Sequence, residues 1–119
     1  MTNHAVWFDI PVLDLDRAIR FYSSVLAVQI DKPFEGKKIG VFKHDNEGIS
    51  GCLTEHDGDQ PSAAGLLLYL NANGRLDDAI AHVEKNGGKI LKPKHPIGPW
   101  GFRAVVLDSE GNRIALHSG

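Results

Sequence analysis

The sequence predicts an α+β fold. Two tandem βαβββ modules form a half-open cupped sheet with the helices on its outer face. Three observations carry this. LDRAI (Leu15 to Ile19) recurs as LDDAI (Leu76 to Ile80), 61 residues on. DNEG (Asp45 to Gly48) recurs as DSEG (Asp108 to Gly111), 63 residues on. Each half also opens with a strand-like segment followed by an amphipathic one, as duplicated modules require.

The first strand is VWFDIPV. Alternation puts Val6, Phe8 and Ile10 on one face and Ala5, Trp7 and Asp9 on the other. A helix follows, with Asp14 as its N-cap and Ala18, Ile19, Tyr22, Val25 and Leu26 as its apolar stripe. Three strands complete the half, near Val28–Asp31, Lys38–Lys43 and Ile49–Thr54. The acidic-glycine turn DNEG joins the last two. The polar segment Glu55 to Gly65 reads as a linker, about 55–65, between module one (about 1–57) and module two (about 66–119) of a single domain.

Module two opens with LLLYLN, apolar on both faces, so its register is open. Leu76, Ala79, Ile80 and Val83 form the stripe of its helix, Asp77 and Asp78 suit the positive N-terminal end, and Gly87-Gly88 stops it. Strands near Lys89–Lys92, Phe102–Leu107 and Arg113–His117 follow. PKHPIGPWG (Pro93 to Gly101) reads as an irregular loop carrying Trp100.

Composition narrows the function. The chain has 119 residues, 42% of them hydrophobic, and a formal net charge of −2. That suits one small globular domain and gives no basic footprint for nucleic acid. The longest apolar run, LLLYL, is far short of a membrane span. The N-terminus has no basic start and no long apolar stretch, so a cytoplasmic protein is expected. Cys52 is the only cysteine, which excludes an intramolecular disulfide and a zinc finger.

DLDRAIRFYSSVL after the first strand, NGGKIL after the second helix and LDSEGNRIAL at the end give the paired modules a resemblance to the vicinal oxygen chelate superfamily. That superfamily includes glyoxalase I, bleomycin-resistance proteins and extradiol dioxygenases. The resemblance spans nearly the whole chain and implies the cupped fold and, for a short member, a homodimer. Metal-dependent members place one ligand in the first strand of each module and one in the last. Counting from the repeats, those points fall at Trp7, Cys52, Leu68 and Ala115. Three of these four carry no metal-binding atom, whereas a catalytic site typically needs about three N, O or S ligands. A shift of one residue supplies no better set. The six histidines form no HExxH or HxH spacing.

The expected site is therefore an apolar cup that takes a small organic molecule with no metal or cofactor. Trp7, Cys52, Leu68 and Ala115 form its floor, Asp9, Arg113 and His117 orient the ligand, and Trp100 and Phe102 form the rim. In this it resembles the bleomycin-resistance branch. The alternatives are a lyase or isomerase using Asp9 or His117 as acid/base, a relocated metal site, and a cup filled by its own side chains. Cys52 reads as a small buried filler. Asp9, a mid-strand carboxylate, reads as paired with an arginine such as Arg113 or Arg103.

Overall fold

A computed structural model describes residues 3–45, 47–55 and 58–119. His56, in the expected linker, lies outside the described residues. The first module contains β1 (Trp7–Pro11), α1 (Leu15–Leu26), β2 (Ile30–Asp31), β3 (Ile39–Phe42) and β4 (Ser50–Thr54). The second contains β5 (Leu68–Asn71), α2 (Leu76–Val83), β6 (Lys89–Pro96), β7 (Phe102–Leu107) and β8 (Arg113–Ser118). Each module makes a four-stranded sheet with the first strand at one edge, in the orders β1-β4-β3-β2 and β5-β8-β7-β6. In each, the first and last strands pair in parallel and the others antiparallel.

Sequence chemistry sets the helix ends. The Asp14 side chain accepts from Arg17 N–H, as an N-cap should. Helix α2 gives way to a 3-10 turn over Glu84–Asn86 and then Gly87, whose φ of 91° favours glycine. Gly88 has a second reason. A Cβ there would meet the Leu107 carbonyl at 2.5 Å and the Phe21 ring at 2.6 Å.

Both helices lie on one side of the sheets and share a core. Phe21, Tyr22 and Val25 of α1 and Ala79 and Val83 of α2 are fully buried among Leu53, Val106, Ile114 and Leu116 of the strands. Burying one such side chain contributes roughly 1.5–3 kcal/mol. Cys52, Val105 and Ala115 are also buried but lie outside this core, on the opposite, cup-facing side.

Hydrogen bonds tie module two to α1. Asp108 is 2% exposed and accepts from Glu110 N–H, Asn112 N–H, Asn112 Nδ2 and, at 2.5 Å, the Tyr22 hydroxyl. Glu110 accepts from Leu13 N–H, Asp14 N–H and both ends of the Arg17 fork. Asn112 Nδ2 donates to the Pro11 carbonyl. The repeated acidic-glycine turn is thus a latch in module two. The described residues of its counterpart in module one are exposed and bond among themselves through Asp45.

Two expectations need correcting. The segment from Pro93 is not a loop throughout, since β6 continues through Pro96 as an edge strand with two register shifts. Prolines are tolerated at such an edge because no inner ladder needs their missing N–H. The register of β5 also differs. Val12 N–H donates to the Thr54 carbonyl and Ala72 N–H to the His117 carbonyl, so the first strands match at an offset of sixty, not sixty-one. An extra residue lies between β5 and α2, where Gly74 adopts a φ of 76°. The counterpart of Trp7 is therefore Leu67, and that of Asp9 is Tyr69.

Candidate functional site

The cup face is set by strand alternation. In module one it carries Trp7 and Asp9 of β1 beside Ser50 and Cys52 of β4. In module two it carries Tyr69 and Asn71 of β5 beside Ala115 and His117 of β8, then Val105 and Arg103 of β7. Leu68 and Leu70 point the other way, to the core. Leu68 was expected on the cup floor and does not lie there.

Asp9 is held by neighbours on its own sheet. Its Oδ1 accepts from Trp7 Nε1 at 3.0 Å and from the Cys52 thiol at 3.2 Å. It makes no ion pair with Arg113 or Arg103, which corrects the expected pairing. Burial, then the Asp9 carboxylate, pushes the Cys52 thiol up to about 11. At neutral pH it is a protonated donor rather than a nucleophile. Trp7 is 43% exposed, with its ring edge-on to His44 at 5.7 Å.

Arg113 is half-buried. Its Nη2 donates to the Gly65 carbonyl at 2.8 Å and its backbone N–H to the Ser62 carbonyl. Its buried Nε has no partner. Arg113 thus pins the segment that joins the modules. It borders a cleft of about 370 Å³ at the seam of β1 and β5, lined also by Asp9, Leu67 and Phe8. His117 Nε2 donates to the Trp100 carbonyl at 2.7 Å. Asp9 and His117 stand on different sheets and share no hydrogen bond.

Trp100, 72% exposed, lines a groove of about 480 Å³ with Tyr69, Ile97 and His117. Phe102 does not join it. Phe102 lies on the helix side beside Arg75 and Asp77, with Lys94 Nζ 5.2 Å from its ring centroid, so its expected place on the rim is corrected. Tyr69, His95 and Ile97 were not among the expected site residues, and Arg103 was expected only as a partner of Asp9. The alternation of Leu68, Tyr69, Leu70 and Asn71 carried the signal for Tyr69, because its two polar residues share a face.

The residues at the superfamily's metal positions do not fit a metal. They are an indole, a thiol, the Leu67 isobutyl group and the Ala115 methyl. Ala115 is fully buried beneath the cup face, directly beside Tyr69. Among the described residues no three His, Cys, Asp or Glu side chains gather as a metal cluster. Nor is any described helix long and apolar enough to cross a membrane.

Duplicated βαβββ modules with a shared helical core define a superfamily fold, and the sequence bears this out. Residues 3–116 match the Glyoxalase/Bleomycin resistance protein/Dioxygenase superfamily. The chain belongs to that superfamily. It is 30% identical over 115 residues to a glyoxylase-like domain-containing protein of Didymella fabae, covering 91% of this chain and 88% of that one. Among solved structures it is similar to a glyoxalase-related enzyme from Fulvimarina pelagi. The TM-score is 0.74 at 15% identity, over 99% of this chain and 89% of that one. A glyoxalase/bleomycin resistance protein from Albidiferax ferrireducens T118 also gives 0.74, at 21% identity over 98% and 100%. A mutant fosfomycin resistance protein from Listeria monocytogenes, complexed with manganese(II), gives 0.70 at 17% identity over 100% and 93%. At these identities the structures share the fold alone.

Proposed function

We propose that the protein binds a small organic molecule in the cup without a metal ion. The observation that carries this reading is the donor set at the four ligand positions, Trp7, Cys52, Leu67 and Ala115. A Listeria relative with the same fold was solved with manganese(II). In this chain the four positions offer one thiol, which already donates to Asp9, and apolar groups that suit hydrocarbon contact. Trp7 is the stacking surface on module one, and its bond to Asp9 fixes the plane of the indole.

A second copy of the chain completes the cup in this reading. The exposure of Val6 (78%), Leu66 (98%) and Trp100 (72%) supports it, because apolar side chains so open on a small chain suit a subunit interface. A cytoplasmic setting belongs to the same reading, since one cysteine in 119 residues supplies no disulfide framework of the kind that staples small secreted domains.

Calorimetric titration with neutral 2-naphthol tests the reading. Saturable binding that W7A weakens is the expected result. Absence of saturable heat with 2-naphthol, or binding indifferent to W7A, would contradict a cup built on Trp7.

A further inference from the structure

Arg103 is a charged group whose partners are all neutral. Its Nε donates to His95 Nε2 at 2.9 Å and its Nη1 to the Tyr69 hydroxyl at 2.5 Å. Its Cζ stands 5.9 Å from the Tyr69 ring centroid. Among the described residues no carboxylate pairs with it, whereas Arg17 and Arg75 each have one. Two of its N–H groups are engaged, which leaves Nη2 and one Nη1 hydrogen of the fork for a further acceptor.

The fork is held in place. His95 Nδ1 lies 2.8 Å from the Pro93 carbonyl, which can only accept, so Nδ1 carries the proton. Arg103 Nε can only donate, so His95 Nε2 must be the acceptor. The imidazole is thereby fixed as the neutral Nδ1–H tautomer, and it fixes Arg103. Next to this arginine, through Tyr69, opens the groove of Tyr69, Ile97, Trp100 and His117, whose lining carries no carboxylate.

We infer that this groove takes a small carboxylic acid with an aromatic or aliphatic body. The carboxylate accepts from the free N–H groups of Arg103, and the body lies against Tyr69, Ile97 and Trp100. A planar fork matches a carboxylate with two parallel hydrogen bonds, roughly twice as strong as neutral ones. The apolar wall supplies contact area. His95 is a positioning residue that acts through Arg103. This inference rests on the organic-ligand reading and names its substrate class.

The test compares 2-naphthoate with its neutral isostere 2-naphthamide by calorimetric titration. Wild type binds the naphthoate at least about tenfold more tightly. R103Q brings the naphthoate close to the level of the naphthamide, whose own affinity falls by a much smaller factor because its carbonyl accepts only a neutral-strength bond. R103K, which keeps the charge and loses the fork, falls between them and serves as the variant if R103Q fails to fold. H95A narrows the naphthoate-to-naphthamide ratio without changing naphthamide affinity. Equal binding of the two compounds overturns the inference while leaving the organic-ligand reading standing. Absence of binding by both, and by 2-naphthol, overturns both. R103Q that alters sedimentation but not naphthoate affinity assigns the patch to a subunit interface and also overturns it.

Discussion

Tyr69 lies directly beside Ala115 in the parallel pair of β5 and β8, on the cup face, with the Ala115 methyl fully buried. The arrangement repeats that of Asp9 beside Cys52 in module one. At each pair a first-strand side chain faces the cup over a small residue on the last strand. The small residue is what allows the larger one to sit close to the sheet.

Placing a carboxylate at that point should therefore cost stability and gain no metal. A115E places a carboxylate in a fully buried position, at a cost of about 3 kcal/mol. A115V fills the same space without charge and costs about half as much. Denaturant titration of both variants checks the order. An A115E protein as stable as wild type and retaining one nickel or manganese ion per chain would refute the account of this position.

The Cys52 thiol should be slow toward alkylation. Burial and the Asp9 carboxylate raise its pKa to about 11, so the thiolate is scarce at neutral pH. The rate with iodoacetamide is expected to climb through pH 9 and 10 about tenfold per unit. D9N removes one raising influence, so the rate at pH 8 rises. A wild-type rate at pH 7 equal to that of an unhindered thiol would contradict the hydrogen bond from Cys52 to Asp9.

Acid should loosen the latch between module two and α1. Burial alone would raise the Glu110 carboxyl. Arg17, Ser109 and the N–H groups of Leu13 and Asp14 outweigh it and hold the carboxyl at about 2, below its ordinary 4.5. A depressed folded value means that the stabilisation is fully present above about 4.5 and is lost as pH falls toward 2. Stability measured from pH 6 to pH 2 should decline in this window, and E110Q should flatten the decline. The variant costs about 2 kcal/mol at pH 7, because Arg17 is partly exposed and its share is screened. An unchanged acid slope in E110Q would assign the pH dependence elsewhere.

The sequence carried the fold through repeats that are structural in origin. LDRAI and LDDAI bury their apolar stripes in one shared core, and DSEG binds α1 through Asp108 and Glu110. Such elements follow periodicity and turn chemistry, both visible in one dimension. The face of β5 was legible only weakly, because Leu66, Leu67 and Leu68 are apolar in both registers and only Tyr69 and Asn71 mark the cup side. The offset of the repeats misled there, since Gly74 inserts one residue between strand and helix. Arg103, His95 and Tyr69 come from three strands, and only the sheet brings them into contact. The partner of Asp9 was likewise hidden. An arginine is the ordinary expectation for a mid-strand carboxylate, but Trp7 and Cys52 are nearer by strand geometry.

The central claim is a cup of this fold with no metal chelation, and metal content tests it most directly. Untagged protein is exchanged into nickel, zinc and manganese in turn, dialysed, and measured by elemental analysis. The account predicts retention well below one ion per chain for all three. One ion per chain that resists dialysis and is lost in D9N, C52S or H117A would show a relocated metal site and contradict it.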